Sequence, residues 1–419
     1  MNEIIRVERL SKTGILKRMA GLLLCIATTY NSGYAMSTAT NGEASYYFLV
    51  IPASLMLTVI ILRTLRYQTF KVSRLDVVYV LFCWMSVVPV VAGYGISWGL
   101  LLYVSYAYCM VRLIKFDVFV EWFTGSMQVI AVISILGYAV VTLIGLMPPT
   151  LPLFVNHHSV SYHNWAVYFA YTHNLDRNMG IFWEPGLYAT FLVLAMVFEI
   201  CFRRTGLQKR RLIILVVALL STLSTAGYAL IPLVILLLLE RTMNLGTRLK
   251  ATLTLFLITS SMVLLMFYDS IIRLLMQYNP VLFGKLLGDS LSSSLRVREF
   301  IVTLEVFAGS PAFGVGFYNV TSTLTAIIGN PSLVFQSATM PYFLAAFGVF
   351  GLVYVGTWIC GISNVRGLGF VGKTALFLIL FGILNKEPHM HNIATYCIMF
   401  YLIQEPVISP DGSEEVVPT

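Results

Sequence analysis

The sequence predicts an all-α polytopic membrane protein, on three observations. Of its 419 residues, 58% are hydrophobic and only 11% are charged, where soluble domains carry roughly a quarter charged residues. Apolar runs recur from one end of the chain to the other, for a mean hydropathy of +0.83. The basic residues, which leave a net charge of +8, gather between those runs. No basic cluster is interleaved with aromatic residues, so the positive charge does not describe a nucleic-acid surface; basic cytoplasmic loops account for it.

A span needs about 20 apolar residues to cross the hydrocarbon core. By that rule about twelve transmembrane helices are expected, near residues 19–36, 46–62, 76–93, 96–111, 122–147, 185–202, 211–224, 227–240, 251–268, 338–360, 373–386 and 391–405. Five Lys/Arg precede Ala20 and no small-residue cleavage pattern follows, so the first span reads as an uncleaved anchor. The run 211–240 is too long for one crossing and is expected to reverse at STLSTAGY, where Gly227 and the hydroxyl groups permit a turn. With both termini cytoplasmic, all but six of the 27 basic residues fall on the cytoplasmic side. The six are Arg177, Arg273, Lys285, Arg296, Arg298 and Lys386, and this asymmetry fixes the orientation.

The expected organisation is therefore a single transmembrane domain over 1–405, with large outward loops at 148–184 and 269–337, and a disordered cytoplasmic tail at 406–419. All six histidines then face outward. The six cysteines lie within or at the ends of apolar runs and form no C-x-x-C pair, so they read as small buried hydrophobes. No D-x-D pair offers ligands for a magnesium-dependent nucleotide-sugar site, and no metal or other cofactor is expected.

Chemistry concentrates in two outward stretches. Arg177 to Ala189 reads RNMGIFWEPGLYA and opens directly onto the apolar run TFLVLAMVF. Charge, proline and two glycines at the edge of a span are costly there and mark a candidate site. The second stretch, RVREFIVTLEVFAGSPAFGVGF, begins at Arg296. On a helix, positions 298, 301, 302 and 305 share a face, so Arg298 and Glu305 are expected on one line of contacts. Gly309, Ser310 and Pro311 end that helix, and Gly314 and Gly316 allow close approach to a ligand or a neighbour. Guanidinium groups from two loops suit a diphosphate, because each grips phosphate oxygens in a planar fork. An Arg177–Glu184 ion pair that merely pins the loop satisfies the same residues, and the residues alone leave both readings open.

RNMGIFWEPGLYATFL resembles the R-x-x-G-x-F-x-E-P-G-x-Y-A signature of the Wzy-type polysaccharide polymerase and O-antigen ligase family. LSTAGYALIPL resembles that family's hydroxyl-and-glycine segment, and the stretch from Arg296 is similar to its second motif, with Arg298 and Gly309 in R-x10-G spacing. The resemblance implies a GT-C-like membrane glycosyltransferase in a bacterial inner membrane. It would act without metal on the periplasmic face, joining glycans carried on undecaprenyl diphosphate, which serves as donor and acceptor. It implies further that Arg177 and Arg298 bind the diphosphate and that Glu184 shapes the mouth of the site. Arg296, Arg273, Gly186, Tyr188, His163, His389 and His391 are the further candidate substrate-binding residues. A chain-length regulator and a flippase are the protein partners it implies. Ligases of this family carry a histidine late in the second loop, where this chain reads NPSLVFQSATMPYFLAAFG. Its absence favours polymerase over ligase and leaves the base unnamed, with His163, His389 and His391 as candidates. A lipid-linked glycan transporter is the competing class, but binding groups near the bilayer midplane are not apparent.

Residues 367–374, GLGFVGKT, fit the phosphate-loop pattern. That motif needs a preceding strand, and here a span follows instead, so the stretch is expected to be a short connection.

Overall fold

The computed structural model describes residues 72–145, 153–156, 160–165, 167–172, 175–204, 206–242, 296–330 and 338–404, with isolated positions elsewhere. The expected spans 19–36, 46–62 and 251–268 lie wholly or almost wholly outside the described residues, as do Arg273 and the tail 406–419.

The described chain is mostly helical: α1 Arg74–Val87, α2 Trp98–Leu113, α3 Phe116–Tyr138, α4 Pro185–Cys201, α5 Lys209–Ser221, α6 Thr225–Thr242, α7 at 296–309, α8 Val320–Ile328, α9 Thr339–Phe347, α10 Leu352–Asn364, α11 Phe370–Leu384 and α12 Ile393–Gln404. Four stretches are long and apolar enough to cross a membrane: Arg74–Ala92, Phe116–Thr142, Thr225–Thr242 and Thr339–Asn364. Shorter apolar helices accompany them: Trp98–Leu113, Pro185–Cys201, Phe370–Leu384 and Ile393–Gln404.

The core forms around two of those shorter helices. Every residue of α4 is buried, and so is all of α12 except Gln404. A helix that is apolar all round must be covered on all sides. Accordingly α4 packs on α3, α5 and α6, while α12 packs on α1, α2 and α10. Both helices start at the same end of the bundle, and the candidate site is built there.

The opposite end is tied by ions. The buried Glu199 carboxylate accepts from Arg203 at 2.8 and 3.0 Å, from Arg211 at 3.0 Å and from the Gln208 amide at 2.7 Å. Glu121 of α3 reaches both arginines, so one carboxylate pair fastens α3, α4 and α5. Asp76 caps α1 with Ser73 and accepts from Tyr108 and Arg112 of α2. Glu199→Gln leaves two buried guanidinium groups short of an anion, and is expected to cost about 3 kcal/mol. A thermal unfolding midpoint in detergent that stays at the wild-type value would contradict that.

The run 211–240 divides into two helices within STLSTAGY, as expected, with the reversal at Thr222–Ser224 made by the hydroxyls and not by Gly227. Leu223 takes φ 47°, the Ser224 amide donates to the Thr222 hydroxyl, and the Gly227 amide donates to the Ser224 hydroxyl. Gly227 lies inside α6, where a Cβ would come within 3.0 Å of Ala189.

The all-α expectation is corrected in one place, because the loop 148–184 holds a three-stranded antiparallel sheet, β1 Leu153–Val155, β2 Ser161–Asn164 and β3 Phe169–Tyr171. Its register pairs Phe154 with Tyr162 and Tyr162 with Tyr171. Tyr162 and Phe169 pack on one face of the small sheet with Ala35 and Met179, and Ala170 packs on the other with Val141 and Tyr168.

The stretch SPAFGVG after α7 crosses a break between α9 and α10. Val315 and Gly316 donate their amides to the Ala345 and Ala346 carbonyls, and Val349 donates to that of Pro311. Gly348, at φ 61° and ψ −139°, makes the break. A Cβ on Gly348 would lie 2.5 Å from the Pro311 carbonyl oxygen, and one on Gly314 would strike the Ala346 backbone. The glycines of this motif thus serve a neighbouring helix. Gly309, with no atom of the described residues within 4 Å of a Cβ position, has no such part.

Candidate functional site

Glu184 is extended, at φ −148° and ψ 141°, and Pro185 follows as the first helical residue of α4. Proline at that position loses no hydrogen bond, so E-P sets a sharp helix start with the carboxylate at its rim. The sheet holds the approach in place: the Tyr162 and Tyr171 hydroxyls donate to the Trp183 carbonyl at 3.0 and 3.3 Å.

Three further segments meet this rim. From the α5–α6 turn, the Thr222 carbonyl accepts from Arg177 Nε at 3.2 Å, and Ser224 Oγ accepts from Lys386 Nζ at 2.8 Å. From α7, Arg296 stands 3.6 Å from Glu184 Oε1 and 3.4 Å from Glu387 Oε1, and donates to the Lys386 carbonyl at 2.7 Å. From the α11–α12 connection come Lys386 and Glu387, which lie 3.7 Å apart. Thr339 ties that connection to α9, donating to the Glu387 carbonyl and accepting from the His389 amide.

Gly186 is the hinge of this packing. A Cβ there would run into Glu387 Oε1 and lie 3.3 Å from Glu184 Oε1, so only glycine lets both carboxylates crowd the start of α4. Glu387 is nearly sealed, its side chain 2% exposed, while those of Glu184 and Arg296 are 24% exposed and form the open side. Three cations face two carboxylates, an excess of positive charge suited to an anionic ligand.

The environment moves the acids and bases apart. Burial, then the Glu387 carboxylate, pushes Glu184 up to about 7 against the pull of Arg296, Lys386 and Arg177. Burial lowers Lys386. His389 is lowered to about 3 by burial and by Lys386.

Several expected site residues are placed elsewhere. Arg298 is exposed and does not join the cluster; Arg296 does. Two residues turn a helix by about 200°, and Arg296 shares its side with buried Glu299 and Thr303, whereas Arg298 borders exposed Val297 and Ile301. Glu305 is likewise exposed, and Val302, expected on that line, is buried. Tyr188 is fully buried inside the bundle, stacked on Phe182 with its hydroxyl 2.7 Å from that of Ser134, so its part is packing. His163 sits in β2 between Leu153 and Ala170. His389 is buried behind the cluster with Nδ1 2.9 Å from Thr395 Oγ1. His391 is exposed, edge-on to Tyr103 and Phe317. Lys386 and Glu387 were not singled out as site residues; the signal was the K-E-P triplet that follows ALFLILFGILN, charge at a span end.

The phosphate-loop look-alike is occupied by the protein itself. The Gly369 amide at the start of α11 donates to Glu240 Oε1 at 2.8 Å, Gly372 borders the same carboxylate, and Lys373 donates to the Ser363 carbonyl. Among the described residues no group of three His, Cys, Asp or Glu side chains is placed to hold a metal ion.

Four long apolar helices within a mostly helical chain fit a helical membrane protein, with a charged cluster at one end of its bundle. No family model matches the chain, and no match was found among curated proteins or solved structures.

Proposed function

We propose that the protein is a membrane glycosyltransferase that polymerises undecaprenyl-diphosphate-linked oligosaccharide repeat units on the periplasmic face of a bacterial inner membrane, without a metal. The observation that carries this reading is the meeting of three separated sequence stretches at one rim. RNMGIFWEPG supplies Arg177 and Glu184, STLSTAGY supplies the Thr222 carbonyl and Ser224, and the second arginine stretch supplies Arg296. Lys386 and Glu387 complete the group.

In this reading Arg177, Arg296 and Lys386 hold the diphosphate and stabilise the charge it gains as the sugar leaves. Glu184 and Gly186 shape the mouth. One lipid-linked repeat is donor and another is acceptor, a flippase supplies the repeats, and a chain-length regulator limits the product. The charged cluster lies at helix ends, whereas a transporter needs its binding groups near the midplane.

The test uses purified protein, a short undecaprenyl-diphosphate-linked repeat unit and EDTA, with product size read by mass spectrometry. A ladder of lengthened lipid-linked glycans is expected. Transfer of single glycans only after lipid A core is added would replace polymerase with ligase. Glycan crossing a vesicle membrane with no product from either acceptor would replace the enzyme with a transporter.

A further inference from the structure

Metal-independent transfer to a sugar hydroxyl needs a group that takes the hydroxyl proton within hydrogen-bond reach. We infer that Glu184 is that proton acceptor and that Glu387, sealed behind it, is its positioning residue. The inference rests on the polymerase reading and names the base that reading lacks.

The geometry separates the two carboxylates. Both border the point where a Gly186 Cβ would stand, and both reach the Arg296 guanidinium. The Glu387 carboxylate lies against Arg296 and Lys386, and its side chain, 2% exposed, has no open side for a sugar. Glu184 has the open side and the longer contact to Arg296. The described histidines are worse placed: His389 is buried with Nδ1 against Thr395, His163 is in the sheet, and His391 lies against Tyr103 and Phe317.

The groups facing Glu184 are Glu387 and Lys386 from the α11–α12 connection, Arg296 from α7, Arg177 from the loop before α4, and Tyr162 and Tyr171 from the sheet. Burial and the like charge of Glu387 outweigh the cations and bring Glu184 to about 7. Its basic form therefore dominates above pH 7 and is lost as the pH falls through that value.

The step balances. The acceptor hydroxyl gives its proton to a Glu184 oxygen as its own oxygen bonds the anomeric carbon. The bond from that carbon to the phosphate oxygen breaks, and its electron pair leaves on the diphosphate. Glu184 then returns the proton to solvent.

The test is the pH dependence of glycan lengthening by the purified full-length protein. Wild type is expected to lose activity below about pH 7. Glu184→Gln should fall about 100-fold or more at every pH while still binding undecaprenyl diphosphate. Glu387→Gln should stay active with its acid limb moved to lower pH, because the repelling charge is gone. Glu184→Asp, which keeps a carboxylate, should retain an acid limb at reduced rate. Turnover of Glu184→Gln within tenfold of wild type, or an unmoved limb in Glu387→Gln, overturns the inference while the polymerase reading stands. A wild-type protein that lengthens no glycan overturns both.

Discussion

Arg296→Ala is expected to reduce lipid-linked glycan lengthening about 100- to 1,000-fold, with the protein still inserted and folded. That is the loss seen when one fixed donor to a developing oxyanion is removed, about 3 to 4 kcal/mol. Arg177→Ala should fall in the same range, since Arg177 meets the cluster from the other side at Thr222. Lysine at either position should restore little, because a point charge cannot reproduce the planar fork. Arg298→Ala is the discriminating variant. The sequence resemblance points to Arg298, whereas the structure brings Arg296 to Glu184 and Glu387. Turnover near wild type in Arg298→Ala, with a large loss in Arg296→Ala, is the expected pattern; the reverse would restore Arg298. Turnover rates in nanodiscs, normalised to inserted protein, decide it.

Gly348→Ala is expected to be the most damaging single substitution to the fold, at about 4 kcal/mol from glycine-only backbone strain and overlap with fixed backbone. Its Cβ would sit 2.5 Å from the Pro311 carbonyl oxygen and 2.6 Å from Ala312. Those atoms belong to a loop held by amide bonds, so no side-chain rotation relieves the contact. Gly309→Ala, in open space, should leave the unfolding midpoint unchanged. Thermal unfolding in detergent tests both. Equal midpoints for the two variants would show that the motif's glycines do not lock the α9–α10 break.

The sequence carried much of this fold because a span must be both long and apolar. The expected spans 76–93, 122–147, 227–240 and 338–360 fall on the four long apolar stretches Arg74–Ala92, Phe116–Thr142, Thr225–Thr242 and Thr339–Asn364, whereas 185–202 and 373–386 fall on shorter apolar helices, Pro185–Cys201 and Phe370–Leu384. Two short helices in 211–240 were legible from length and charge, but not the turn residue, because Leu223 carries no turn signature. The sheet was hidden because its strands are three or four residues long, too short for an alternating pattern to rise above a polar loop. The E-P-G start of α4 was legible, since each residue has a local backbone reason to be there. The choice between Arg296 and Arg298 was not, because it depends on which side of α7 meets the bundle. Lys386 and Glu387 were lost for a related reason. They join the site through contacts some 200 residues away in sequence, from Lys386 to Gly186, that no local spacing encodes.

The rim is read as a diphosphate grip formed by Arg177, Arg296 and Lys386, with Glu184 at its mouth. Equilibrium binding of undecaprenyl diphosphate and undecaprenyl monophosphate to the protein in nanodiscs tests it most directly. Wild type is expected to prefer the diphosphate, and Arg296→Ala to lose that preference with at least about tenfold weaker binding, a difference of about 1.4 kcal/mol. Equal affinity for the two lipids, or wild-type diphosphate binding in Arg296→Ala, would contradict it.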